Sequence, residues 1–287
     1  MSANIALLPY SKKLGTRPGR IALDQLDWPL GRPAGTEGQC LADLGPDDHL
    51  IIHPRDTMYT RPTFGTRARV SVMVLEPGAI HGHHIKLLRW AWRRFHRVLT
   101  CNEALLADIP NGVFFPAGGA WVPNWRTLDV TKSRMCSLIA SAKRSQEGHI
   151  LRHETIAWAA SQGVTIDAIG GGYIPFGAKS DGLAPYRYSV VIENVRERNY
   201  FSEKLLDALL CKTVPIYWGC PNVGDFFDTS GLILCESAED IHKAMQNMSE
   251  ADYAARVPDI ETLREKAAYF GETNERAARA VLESSPS

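Results

Sequence analysis

An excess charge of either sign is missing from this 287-residue chain: lysine plus arginine and aspartate plus glutamate each total 32. A neutral chain has no global attraction for nucleic acid or anionic lipid, so any anion site has to be built locally. Long hydrophobic runs are missing too. The opening stretch through Ile5-Ala6-Leu7-Leu8-Pro9 is too short for the apolar core of a signal peptide, and no segment reaches the roughly 20 apolar residues of a membrane span. These absences give the expectation of a soluble, cytoplasmic protein with no nucleic-acid partner and at most peripheral membrane contact. The six cysteines include no Cys-x-x-Cys pair, and Cys136, Cys211 and Cys235 lie in apolar runs, so all six read as reduced thiols rather than disulfides or zinc ligands. There is no repeat at solenoid periods and no low-complexity segment beyond Glu283–Ser287, a tail expected to fray.

What is present is a βαβ rhythm. His49–His53 and Arg69–Leu75 read as strands, His84–Arg94 as a helix and Arg97–Thr100 as a further strand, while the glycine- and proline-rich residues 28 to 47 read as loop. Proline and glycine break every period between Phe114 and Trp125, which places a domain boundary near residue 132. Beyond it, strands are expected at Cys136–Ala140, Thr165–Ile169, Tyr188–Ile192, Val214–Tyr217 and Leu232–Cys235, with helices at Ile150–Ser161 and Glu203–Leu210. At 45% hydrophobic content the chain can fill two such cores. The expected fold is therefore α/β with two Rossmann-like domains facing across a cleft, residues 1–132 and 133–287.

Chemistry concentrates where Ile192-Glu193-Asn194 leaves a strand and Tyr200-Phe201-Ser202-Glu203-Lys204 enters a helix. Ser202 is the natural N-cap. Glu203 suits the helix dipole but Lys204 opposes it, a conflict that a bound phosphate removes by accepting both the exposed N–H groups and the ammonium. Glu203 can then accept from a ribose diol, and Tyr200 can cover a base or sugar face. The same residues also fit a charged, solvated helix start. Arg152 is placed in the first turn of a second helix, where a guanidinium can grip a diphosphate bidentately; Lys143 and Arg144 read as solvated loop charges. In Leu75-Glu76-Pro77-Gly78 a strand ends in a carboxylate positioned as a general base, although such a residue can equally be a turn acid.

Tyr188-Ser189-Val190-Val191-Ile192-Glu193-Asn194, Tyr200-Phe201-Ser202-Glu203-Lys204 and Val214-Pro215-Ile216-Tyr217-Trp218-Gly219-Cys220-Pro221, in this order and spacing, resemble the donor-binding signature of the family 10 glycosyltransferases, the α-1,3-fucosyltransferases. The match is good over residues 136 to 240 and weaker over 69 to 123. The resemblance implies a two-domain arrangement of the GT-B type with residues 1–132 on the acceptor side and 133–287 binding the donor, GDP-fucose as donor substrate, a glycan or glycolipid acceptor, inversion at the anomeric carbon and no metal or other cofactor. It places Asn194, Tyr200, Glu203 and Lys204, with Glu193 and Ser202 in the same motif, at the nucleotide, Arg152 at phosphate and Glu76 as the base. Serine at 202 departs from the threonine common in the family but keeps the hydroxyl.

Residues 81 to 97 form the most basic and aromatic segment and read as an amphipathic helix burying leucines and tryptophans. His81, His83 and His84 lack zinc-motif spacing and are expected as loop donors, and Gly170-Gly171-Gly172 as a flexible turn. Two other functions fit the same signals: a non-catalytic module that binds a sugar nucleotide or glycan, and a transferase using a different nucleotide sugar.

Overall fold

The computed structural model describes residues 3–116 and 118–284, which fall into two compact units, Met1–Pro116 with Thr273–Ser287, and Ala117–Glu272. In the first unit β1 (Ile5–Leu7), β2 (His49–Ile52), α1 (Thr57–Thr60), β3 (Arg69–Met73), α2 (Gly78–Ala91), β4 (Val98–Thr100), α3 (Glu103–Asp108) and β5 (Gly112–Phe114) follow in chain order. The sheet is wholly parallel in the order β1-β2-β3-β4-β5, with Ile51 opposite Ser71 and Val72 opposite Val98. Parallel strands are covered on both faces, which is why Leu50-Ile51-Ile52 is an unbroken apolar run rather than an alternating one. Leu23 and Leu41, from the loop-like opening segment, fill the same core as Leu50, Val72 and Leu88.

Helix α2 starts six residues earlier than its apolar period indicates. Pro77 sets its N-terminus, and His81 departs from helical geometry at φ −102°, ψ 16°. His81, His83 and His84 therefore lie on a helix and not in a loop. Ile85 and Leu88 face the core, but Leu87 and Trp90 remain 43% and 86% exposed, so the helix does not bury all of its leucines and tryptophans.

The second unit runs through β6 (Arg134–Ile139), α4 (Glu147–Gln162), β7 (Asp167–Ile169), β8 (Tyr186–Ile192), α5 (Glu203–Leu210), β9 (Val214–Trp218), β10 (Ile233–Leu234), α6 (Ala238–Gln246) and α7 (Glu250–Gly271). Its sheet is again parallel, in the order β10-β9-β8-β6-β7. The chain builds outward from β6 to β7, then crosses to β8 on the other side. The reversal puts a topological switch point between β6 and β8, where the loops into α4 and α5 diverge and leave a crevice at the strand carboxyl ends. The first sheet, ordered without reversal, has no such point.

The expected boundary near residue 132 lies elsewhere in the structure. The irregular segment before β6 packs on the second core through Val122 and Trp125, whose ring stacks on the Arg264 guanidinium at 4.7 Å. Lys132 is anchored there by donating to the carbonyls of Ala184 (2.9 Å) and Cys211 (2.7 Å). At the other end α8 (Thr273–Glu283) returns to the first unit, burying Ala277, Ala278 and Val281 and packing against β1, with Arg276 donating to the Pro116 carbonyl at 2.9 Å. Of the expected fraying tail Glu283–Ser287, Glu283 is the last residue of α8 and residues 285–287 lie outside the described residues. All six cysteines are free; five are buried and Cys40 is half-buried. The triple-glycine turn is tight: Gly170 has φ +114°, and a methyl group there would meet the Ala140 carbonyl oxygen at 2.3 Å. No helix among the described residues is long and apolar enough to cross a membrane.

Candidate active site

Glu193, the first residue beyond β8, is fully buried. A carboxylate out of water has to be hydrogen-bonded, and one serine does most of this work. The Ser202 N–H donates to Glu193 Oε1 at 2.9 Å and the Ser202 hydroxyl to Oε2 at 2.6 Å. The same hydroxyl caps α5 by accepting from the Lys204 backbone N–H at 3.4 Å. The Lys204 ammonium donates to Ser202 Oγ at 3.0 Å and Glu203 Oε1 at 3.1 Å, and lies 3.7 Å from Glu193 Oε2. An ammonium has three N–H bonds, and two of them have hydrogen-bond acceptors among the described residues.

Glycines let the neighbouring segments close on this carboxylate. A methyl group on Gly148, at the start of α4, would lie 1.7 Å from the Glu193 carbonyl oxygen, and one on Gly219, just after β9, 2.5 Å from Glu193 Cγ. Without side chains, the α4 start docks by a Gly148 N–H bond to the Asn194 carbonyl at 2.9 Å.

Arg152 is in the second turn of α4, not the first, because the helix begins at Glu147. It is only 4% exposed. Its Nε and Nη2 donate to the Ile192 carbonyl at 3.0 and 2.5 Å, and Nη2 also reaches Asn194 Oδ1 at 3.1 Å. The guanidinium thus closes the carboxyl end of β8 and orients Asn194. Arg152 and Lys204 do converge on residues 192 to 194, and the Arg152 charge acts against protonation of Lys204.

Sequence reasoning missed Lys179. It stands in a short 3-10 turn before β8, its ammonium 5.2 Å from the Trp121 ring centroid, and it lines a cavity of about 20 Å³ together with Lys204. A lone cation in a loop of no regular period leaves no trace in the sequence pattern. Burial lowers the Lys179 pKa. Burial also pulls at Lys204, but Glu193 and Glu203 outweigh it and hold the ammonium above its ordinary value. Burial pushes Glu203 upward, yet Lys204 and Lys179 outweigh that and leave it below the usual carboxylate range. On the next turn of α5, burial pushes Asp207 up to about 7 against the opposing pull of the Trp121 N–H and Lys179.

Tyr200 is 4% exposed, so little of its ring is open to cover a ligand face. Glu76 is half-buried in the loop between β3 and α2, at the carboxyl end of the first sheet. Among the described residues, the one set of side chains with metal-ligand spacing is Asp56, His83 and His84, in the first unit. None of Glu193, Glu203 and Asp207 belongs to such a set.

No family model matches the chain. A 55-residue stretch is 34% identical to the α-(1,3)-fucosyltransferase FucT of Helicobacter pylori, covering 19% of this chain and 12% of that protein. Over 158 residues the chain is 27% identical to a putative fucosyltransferase-like protein of Arabidopsis thaliana, covering 52% of this chain and 29% of that one. The matches thus span less than a third of either curated relative. A crystal structure of an S. aureus TarM mutant with fondaparinux, α-GlcNAc-glycerol and UDP aligns with 84% of this chain and 56% of its own, at 13% identity and a TM-score of 0.55. That likeness shows the fold, α/β with two Rossmann-like domains of the GT-B type. The α-1,3-fucosyltransferase resemblance carried by the motifs is thus met by curated relatives with fucosyltransferase names.

Proposed function

We propose that the chain is a glycosyltransferase that moves fucose or a related sugar from GDP-fucose to a glycan hydroxyl, with inversion and without a metal. The observation that carries this reading is the convergence of Arg152, Lys204 and the start of α5 around Glu193 and Ser202, with Lys179 beside Glu203 and Lys204, at the switch point of the second sheet. Fucosyltransferase names on both curated relatives support the choice of sugar.

In this mechanism the donor diphosphate takes the third N–H of Lys204 and the Glu203 N–H that opens α5, the Lys204, Leu205 and Leu206 N–H groups being held by Ser202. Negative charge grows on the diphosphate as the bond to the anomeric carbon breaks, so these donors stabilise the transition state more than the ground state. The local cations meet that charge, which is why the reading contains no metal. Glu193 and Ser202 hold Lys204 in place and leave the phosphate contact to the ammonium. Arg152 keeps the β8 terminus and Asn194 in position and adds its charge from behind. Glu203, ionised and next to Lys204, is the carboxylate available to a ribose diol. Glu76 takes the proton from the acceptor hydroxyl; its support is its place at the carboxyl end of β3, where parallel sheets present catalytic groups.

Isothermal titration with GDP-fucose, GDP-mannose, UDP-glucose and GDP, followed by donor-consumption assays with and without oligosaccharide acceptors, tests the reading. Preference for GDP-fucose and acceptor-dependent release of GDP are expected. Binding without turnover on any acceptor favours a non-catalytic module, and preference for a uridine donor moves the assignment to another sugar nucleotide.

A further inference from the structure

Asp56, the residue that opens α1, and His83 and His84 of α2 bring a carboxylate oxygen and two imidazole nitrogens within 4.8 Å of one another. His83 Nε2 lies 2.9 Å from Asp56 Oδ1, and His84 Nε2 lies 3.9 Å from the same oxygen. Bonds of about 2.0–2.2 Å to a tetrahedral ion would set such donor atoms about 3.4 Å apart, between these two distances.

The decisive contact is on the far side of His84. The Tyr59 hydroxyl donates its hydrogen to the His84 carbonyl at 3.1 Å, so toward His84 Nδ1, also 3.1 Å away, the Tyr59 oxygen is the acceptor. With the hydroxyl hydrogen on the carbonyl, Nδ1 carries the ring proton and Nε2 turns a lone pair toward the Asp56 carboxylate, the tautomer that ligation through Nε2 requires. A lone pair facing an anionic oxygen calls for a cation between them. His84 is 5% exposed and fixed by this contact, whereas Asp56 and His83 are open to solvent, at 84% and 56% side-chain exposure. Such an arrangement has one preset ligand, two that adjust, and a free position for water. The charge of the nearby Arg55 reaches His84, but its guanidinium is engaged elsewhere: Nη2 donates to the Tyr10 carbonyl at 2.6 Å and the group lies over the Tyr10 ring.

We propose that Asp56, His83 and His84 form a binding site for one divalent cation of the zinc class. Two imidazoles and one carboxylate select zinc, cobalt, nickel or copper over magnesium and calcium, which prefer all-oxygen shells. The ion takes the place of the proton on His83 Nε2, which moves to Nδ1 in a neutral ring and leaves to solvent from a protonated one, and it ties the start of α1 to α2. Tyr59 supplies the outer contact that metal-bound histidines commonly have. The site is separate from the donor residues of the second unit, and its test is independent of the transferase reading.

Titration of the untagged full chain with Zn²⁺ by calorimetry, with Co²⁺ absorption as a second readout, tests it. One equivalent is expected to bind and to raise the unfolding temperature. His83→Ala and Asp56→Asn, both at solvent-exposed positions and checked for folding by circular dichroism, should each weaken binding by about 100-fold, and Tyr59→Phe by about 10-fold. Absence of saturable Zn²⁺ binding, or equal affinity in the wild type and both exposed variants, overturns the site; an unchanged Tyr59→Phe overturns the orienting role of Tyr59.

Discussion

Replacing Asp207 by asparagine changes how the stability of the second unit depends on pH, and the sign follows from the surroundings of this side chain. Asp207 is fully buried; its Oδ1 accepts the Trp121 N–H at 2.8 Å, and its Oδ2 has no hydrogen-bond partner among the described residues. Burial raises its pKa from 3.8 to about 7. Between about pH 4 and 7 the folded protein holds a proton that the unfolded chain has released, so stability falls as pH rises through this window and levels off above it. A shift of roughly three units at about 1.4 kcal/mol each sets a ceiling of about 4 kcal/mol, and relaxation around the buried charge brings the measured value below it. Asparagine keeps the oxygen for Trp121 and cannot ionise. Its unpaired amide N–H groups add a cost of about 1–3 kcal/mol, but that cost is the same at every pH. Urea unfolding of both proteins at pH 5, 6, 7 and 8, followed by circular dichroism, should show the variant gaining on the wild type by about 1–2.5 kcal/mol from pH 5 to 8, since only the two units between pH 5 and 7 fall within that range. A stability difference that stays constant over that range would refute the buried-carboxylate reasoning.

Four other substitutions probe the site. Lys204→Ala should lower turnover at saturating donor by about 100-fold, the scale of losing one preorganised charge donor, and also weaken the fold because it leaves the Glu193 carboxylate without its nearest cation; an unchanged turnover removes Lys204 from the mechanism. Arg152→Lys keeps the charge but loses the paired bonds to Ile192 and Asn194, so stability should fall by about 1–3 kcal/mol in thermal unfolding, and an unaltered melting temperature counts against its positioning role. Gly148→Ala places a methyl group against the Glu193 carbonyl and should cost about 3 kcal/mol, together with weaker GDP binding by calorimetry. Glu76→Gln should leave donor affinity intact while abolishing transfer; a wild-type rate excludes Glu76 as the base.

Much of the second unit was legible because its signals are local. Ser202 before an apolar Leu205-Leu206-Leu209-Leu210 face marks a cap and a helix, and α5 runs from Glu203 to Leu210 as that pattern requires. Strands β8 and β9 were equally plain, since buried parallel strands are continuous apolar runs. The α4 start was misplaced because Gln146 makes no side-chain cap, and the error moved Arg152 by a turn. The helices after residue 245 and the opening strand carried no motif. The three residues of β1 are too few to show a period, and α7 contains Pro258, a residue that ordinarily argues for a break.

The order of strands and helices, the polar loop from Glu193 to Ser202 and the absence of a membrane-spanning run were determined by the sequence itself, because hydrophobic period and capping chemistry act over a few residues. Only the tertiary structure decided that α8 belongs with the first sheet, that Lys179 joins Lys204, that Arg152 is tied to the end of β8 and that Tyr59 turns His84 toward Asp56. Each of these depends on side chains brought together from distant parts of the chain, and no local pattern records which of many possible partners will meet.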